Sequence, residues 1–168
     1  MRILGIDPGL AIIGWGVVEY NASKFHTVAC GALRTPAGIP TEDRLSLIWD
    51  GMRELFDTYH PDAMSVEELF FNTNITTGIR VAEARGVILL SARQAGVPMQ
   101  EYTPLQVKQA VVGYGKAEKA QVIAMVTRIL ALREPPKPDD TADALALAIC
   151  HAHSGASRIA SYYNKNTI

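Results

Sequence analysis

The sequence predicts an α/β domain: a five-stranded mixed sheet flanked by helices on both faces. Three strand-like runs open the chain with only short turns between them. Helical and strand-like segments then alternate, and the last third reads as successive helices, giving the order βββαβαβααα. Of the 168 residues, 48% are apolar, which suits a single packed domain.

The elements follow in order. Residues 2–6 are a short apolar run stopped by Asp7-Pro8-Gly9, hence a strand and a turn. Residues 13–20 and 25–33 are two more strands, with Asn21 to Lys24 as the hairpin loop between them. Thr41 caps a helix whose Leu45, Ile48, Trp49, Met52, Leu55 and Phe56 recur at helical spacing, ending near Tyr59 before Pro61. Residues 62–68 form the fourth strand. Residues 76–95 are a long helix, with Val81, Ala84, Val87, Ile88 and Ala92 inward and Gly96 closing it. Residues 97–102 are the fifth strand. Thr103-Pro104 starts a helix by cap and first-turn proline. A further helix spans 117–132, a stiff Pro-rich linker follows, and a last helix runs from about Asp140 to His153. The tail, 154–168, is expected to be polar and mobile. The right-handed crossover into strand four sets it parallel to, and beside, strand one.

Composition removes several classes of function. The two cysteines, Cys30 and Cys150, are too few for a disulfide scaffold and too far apart for a local metal motif, so a reducing, cytoplasmic setting is expected. Between Asp7 and Glu19 only 11 uncharged residues occur, whereas a membrane span needs about 18. Gly115-Lys116 fails as a phosphate-binding loop, because Ala110 and Ala117 stand where that motif needs Gly and Ser or Thr. The net charge of -1 hides an asymmetry: residues 1–84 carry six basic and 11 acidic side chains, residues 85–168 ten and six. That distribution suits a basic face for a polyanion beside an acidic site.

In open sheets of this kind, function sits at the carboxyl ends of the strands. Asp7 ends strand one, and Glu67 and Glu68 end strand four. The two glutamates face opposite sides of the sheet, so only one can join Asp7, and periodicity alone does not choose. Asp139, Asp140 and Asp143 open the last helix. Capping accounts for the first of these better than for Asp143, which is set among alanines and leucines. A divalent metal is the economical partner for so many carboxylates. Hard oxygen ligands favour Mg²⁺ or Mn²⁺, and paired ions on carboxylates are a recurrent device for phosphodiester hydrolysis. Gly5, Gly9, Gly14 and Gly16 around Asp7 are expected to let a nucleic-acid backbone come close, with a tight hairpin as the competing reason for Gly9. Phe70 and Phe71, in a polar loop just past strand four, suit stacking on unpaired bases, one ring inward and one outward.

In this order, Ile6-Asp7-Pro8-Gly9, Val66-Glu67-Glu68-Leu69-Phe70, Ala84-Arg85-Gly86-Val87, Gln106-Val107-Lys108-Gln109, Val111-Val112-Gly113, Glu118-Lys119 and Asp140-Thr-Ala-Asp143 resemble the RuvC family of Holliday-junction resolvases, within the ribonuclease-H-like superfamily. The resemblance implies the sheet order 3-2-1-4-5 and a nuclease domain over residues 1–153. It implies Asp7, Glu67, Asp140 and Asp143 as catalytic metal ligands, choosing Glu67 over Glu68 and Asp140 over Asp139. Two Mg²⁺ ions are expected, with Mn²⁺ able to replace them. Lys108 and Lys119 match lysines at the scissile phosphate, and Phe70 matches a stacking aromatic; Phe71, Arg80 and Lys116 join them as DNA-facing candidates. The implied activity is symmetric nicking of four-way DNA junctions in recombination and repair. It leaves 5′-phosphate and 3′-hydroxyl ends, is carried out by a homodimer, and works beside the RuvA–RuvB branch-migration complex. A junction-binding module without catalysis would have lost an acid, and an actin-like ATPase needs two such domains. The apolar run Val87-Ile88-Leu89-Leu90 is the expected dimer seam.

Overall fold

The computed structural model describes residues 1–69 and 75–165, with side chains throughout except at 75–77 and 155–165. Its strands are β1 (Arg2–Asp7), β2 (Ile12–Asn21), β3 (Lys24–Arg34), β4 (Ala63–Glu67) and β5 (Met99–Tyr102). Its helices are α1 (Thr41–Tyr59), α2 (Ile75–Gln94), α3 (Pro104–Val112), α4 (Lys119–Ile129) and α5 (Asp139–Lys165). The sheet order is β3-β2-β1-β4-β5, as expected. The first three strands form an antiparallel meander, while β4 and β5 continue the sheet in parallel with β1.

Each face of the sheet has its own core. Leu4, Ile6, Ile13 and Val17 pack with α1 and α2. Ile3, Val18 and Tyr102 pack with α3, α4 and the Ala/Leu-rich body of α5. Because side chains alternate along a strand, Asp7 shares its face with Ile3 and Gly5, the α5 side.

Several local details differ from expectation. The hairpin between β2 and β3 is tighter, with Ala22 and Ser23 both at positive φ (47° and 63°). Helix α1 is entered through Pro40 with no side-chain cap, so Thr41 is already inside the helix. Helix α4 is shorter than 117–132: Glu118 supplies its cap, in a reciprocal pair with Gln121, while Ala117 is buried ahead of it. Thr103 forms the expected capping box with Gln106.

The largest difference is at the end of the chain. Helix α5 does not stop at His153 but continues to Lys165, so the boundary expected between domain and tail falls inside a helix. No Pro follows in that stretch, and polarity alone does not end a helix. Among the described residues, no helix is long and apolar enough to cross a membrane.

Candidate active site

The parallel pairing of β1 with β4 runs to Ile6 and Val66. One residue further, Asp7 and Glu67 stand at the ends of adjacent strands about 5 Å apart. The pleat decides between the two glutamates. Glu67 is half-buried and faces the α5 side, whereas Glu68 is exposed and its N–H donates to the Tyr102 carbonyl. Arg85 of α2 steadies this strand end: its guanidinium pairs with Glu101 at 2.6 Å, and its Nε lies 3.4 Å from the Glu67 carbonyl oxygen.

Helix α5 brings the other acids. Its first turn is tied to the sheet by Thr141, a buried residue whose hydroxyl donates to the Gly31 carbonyl at 3.0 Å. The helix also lies against glycines of the first two strands. A Cβ on Gly5 would overlap the Ala144 carbonyl and come 2.9 Å from the Ala148 nitrogen. A Cβ on Gly14 would overlap the Asp140 carbonyl. These glycines therefore make room for a helix, not for nucleic acid as the sequence suggested. Gly9 is not at positive φ, but a Cβ there would overlap the Ile12 carbonyl, so it is the tightness of the turn itself that excludes a side chain at this position.

Asp7, Glu67, Lys108, Lys119 and Asp143 line one cleft, floored by Val107, Val122 and Leu147. Lys119 Nζ lies 2.9 Å from Asp143 and 3.7 Å from Asp139. Asp140 lies on the neighbouring side of the helix, lining a second cleft with Gly9, Arg44 and Arg80. Lys116 is exposed and lines neither cleft. Phe70 and Phe71 lie outside the described residues.

The electrostatics are those of crowded acids. Burial, reinforced by Asp143, Glu67 and Asp140, pushes the Asp7 carboxyl up to about 8, with Lys119 opposing. Glu67 is raised by burial and by Asp143, while Lys119 and Lys108 pull it down. Burial alone would lower Lys119, but its hydrogen bond to Asp143, with the charges of Asp143, Asp139 and Asp7, outweighs that and raises it. Among the described residues, no three carboxylate, His or Cys side chains already converge at ligating spacing. The set nevertheless fits a hard divalent cation: all its donors are oxygens, and the proton affinity that neighbouring acids raise at Asp7 and Glu67 is what a cation would relieve. Thr141, Arg85 and Arg44 went unassigned from the sequence, since each acts through a hydrogen bond between distant segments.

The family model for crossover junction endodeoxyribonuclease RuvC matches residues 3–151. The chain is 58% identical over 152 residues to the RuvC of Brevibacillus brevis, covering 90% of this chain and 92% of that one. It is 56% identical over 154 residues to that of Clostridioides difficile, covering 92% and 91%. Among solved structures, Thermus thermophilus RuvC in complex with a Holliday junction substrate superposes with a TM-score of 0.89 at 38% identity, over 94% of this chain and 96% of that one. The yeast mitochondrial Holliday junction resolvase shares the fold at 17% identity, with a TM-score of 0.70, over 97% of this chain and 82% of that one. With its ribonuclease-H-like sheet, its acids at the expected strand ends and this similarity along nearly its whole length, the chain belongs to the RuvC family of crossover junction endodeoxyribonucleases.

Proposed function

We propose that the protein is a structure-selective endonuclease that resolves four-way DNA junctions by paired nicks, leaving 5′-phosphate and 3′-hydroxyl ends. The observation that carries this reading is the cleft itself. Acids from three separate elements meet two lysines there, at the carboxyl end of a parallel strand pair. Asp7, Glu67, Asp140 and Asp143 would hold two Mg²⁺ ions, with Mn²⁺ able to replace them. Bound there, the ions would supply an activated attacking water and neutralise charge on the phosphate.

The chain's own residues do the rest. Asp7 and Glu67 fix one side of the site from the rigid sheet, and α5 sets the other. Lys119 and Lys108 balance the charge of the phosphodiester entering between them. The buried floor keeps bulk water from the inner wall of the cleft.

Among the described residues one chain brings together one such cleft, whereas resolving a junction takes two symmetric cuts. The working form is therefore a homodimer with a self-complementary interface. Helix α2 offers the seam, in a form that corrects the sequence expectation. Leu89 is half-buried against the core, and the outward stripe is Ile79, Glu83, Gly86 and Leu90, with Ile79 52% and Leu90 53% exposed. The same reading places the protein in the cytoplasm beside the RuvA–RuvB complex. Incubating a synthetic four-way junction, labelled in turn on each strand, with and without Mg²⁺ tests it. Paired, ligatable nicks in opposing strands are expected only with the metal. Intact junctions at saturating protein and Mg²⁺ would overturn it.

A further inference from the structure

The second cleft lies on the other flank of the α5 start and is lined by Gly9, Ile12, Arg44, Arg80, Val81 and Asp140. Asp143 lines the first cleft and Asp140 this one, so the two meet at the first turns of one helix. Two arginines on different helices, Arg44 of α1 and Arg80 of α2, border it. Among the described residues, no carboxylate ion-pairs with either guanidinium.

Arg44 is also held in place. Its Nε donates to the Thr35 hydroxyl at 2.8 Å, and that hydroxyl donates to the Leu10 carbonyl at 2.6 Å. Thr35 is buried, and its backbone N–H donates to the Ala11 carbonyl at 3.1 Å. The relay anchors Arg44 to the turn that follows Asp7 and, among the described residues, leaves its two terminal nitrogens free. A guanidinium pinned through Nε, with its outer fork open and no acid to satisfy it, is suited to bidentate capture of a phosphate. Arg80 is exposed, and Gly9 adds no side-chain bulk to the near wall.

We propose that Arg44 and Arg80 form a second phosphate subsite, gripping a phosphodiester that flanks the one held at the acids, and that Thr35 positions Arg44 for this task. The inference rests on the endonuclease reading and deepens it. The strand is then held at two points on either side of the α5 start, which fixes the direction in which it crosses Asp7.

The test measures binding of a fluorescein-labelled four-way junction by anisotropy in EDTA across a salt series, with single-turnover cleavage in Mg²⁺ alongside. Wild-type protein is compared with Arg44→Gln, Arg80→Gln, the double variant and Arg44→Lys. Each Gln variant is expected to lower the slope of log affinity against log salt by about 1, and the double variant by about 2. At ~0.1 M salt, one lost contact corresponds to roughly eightfold weaker binding. Arg44→Lys keeps the charge without the fork, so it should recover the slope but only part of the affinity. Because Arg80 is exposed, its variant reports even where loss of Arg44 loosens the fold.

Wild-type slopes in both single Gln variants would overturn the subsite while leaving the endonuclease reading intact. So would an Arg44 effect that tracks only a fall in melting temperature, with no change at Arg80. A lysine that fails to restore the slope would also overturn it. Wild-type protein that neither binds nor cuts the junction would sink the parent reading and the subsite together.

Discussion

Gly14→Ala is the smallest change that should separate a folded protein from a working one. Gly14 pairs with Asp7 across the β1–β2 ladder, and the first turn of α5 rests on it. An added Cβ would overlap the Asp140 carbonyl and stand 2.9 Å from the Asp140 Cβ. Non-bonded carbons sit at about 3.5–4.0 Å and the Asp140 carbonyl carbon would stand closer still than its Cβ, so the helix start must retreat by more than ~1 Å. The obstructing atoms are mainly backbone, so no rotamer change relieves them. Overpacking of this kind costs about 1–3 kcal/mol, which at this chain length lowers the melting temperature by roughly 2–12 °C. A misplacement of about 1 Å at a reacting centre costs on the order of 10²-fold in rate.

The assay is single-turnover cleavage of a labelled junction, with enzyme in excess and well below the variant's melting temperature, beside anisotropy for binding. Cleavage is expected to fall about a hundredfold while binding changes little, because the acids contribute to chemistry more than to grip. Gly51→Ala is the control. Its nearest neighbours would be the end of the Leu33 side chain, Cδ1 at 2.8 Å and Cδ2 at 3.1 Å, which can turn aside far from the cleft. Gly14→Ala protein that is destabilised yet cuts at the wild-type rate would refute the claim that this contact sets the acids.

Three further predictions follow from the same geometry. Asp7→Asn should abolish nicking but preserve junction binding. In EDTA it should also melt above wild type at pH 7. Folding raises the Asp7 carboxyl from 3.8 to about 8, so the folded chain retains a proton that the unfolded chain releases, and stability falls as pH rises between those values. The gap should therefore close toward pH 4, and identical melting at both pH values would refute it. Lys119→Ala, which removes the cation nearest Asp143, should cut turnover by roughly 10²–10³-fold, the scale of a lost transition-state partner. Wild-type turnover would make it an ordinary surface lysine. Leu90→Glu should leave the melting temperature nearly unchanged but give a monomer by sedimentation, with its two nicks in separate binding events; a dimer that survives the charge would move the seam elsewhere.

What could be read from the sequence was whatever depends on period and chain order. The apolar runs at 2–6 and 13–20 and the crossover into β4 are local patterns joined by a handedness rule, and they placed Asp7 beside the end of β4. The choice of Glu67 over Glu68 needed a pleat register that the short run Ala63–Val66 does not signal by itself. It came from family resemblance, and the alternation around Met64 and Val66 agrees with it. The glycines were misread because their reason is a partner more than a hundred residues away: nothing near Gly5 in sequence announces the backbone of Ala144. Thr141 stayed silent for the same cause, and Thr35 and Arg44 because their bonds join separate elements whose other ends look unremarkable in sequence. The end of α5 was placed early because a change from apolar to polar residues marks where a helix leaves the core, which is not where it stops.

Helix α5 also has a mechanical consequence. Asp140 and the Ala148 contact with Gly5 are eight residues apart along one rigid rod, ~12 Å at the α-helical rise. A tilt of about 5° about that contact swings the acidic tip through ~1 Å. The acids thus sit at the end of a lever that is seated on Gly14 and tethered by Thr141, with a second contact at Gly5. A tilt in the middle of the helix that lifts its start off Gly14 would reach the nuclease site amplified. Stiffness of the distant core is therefore a requirement of the chemistry, and a cavity opened near Ile149 should blur the site before it unfolds the protein.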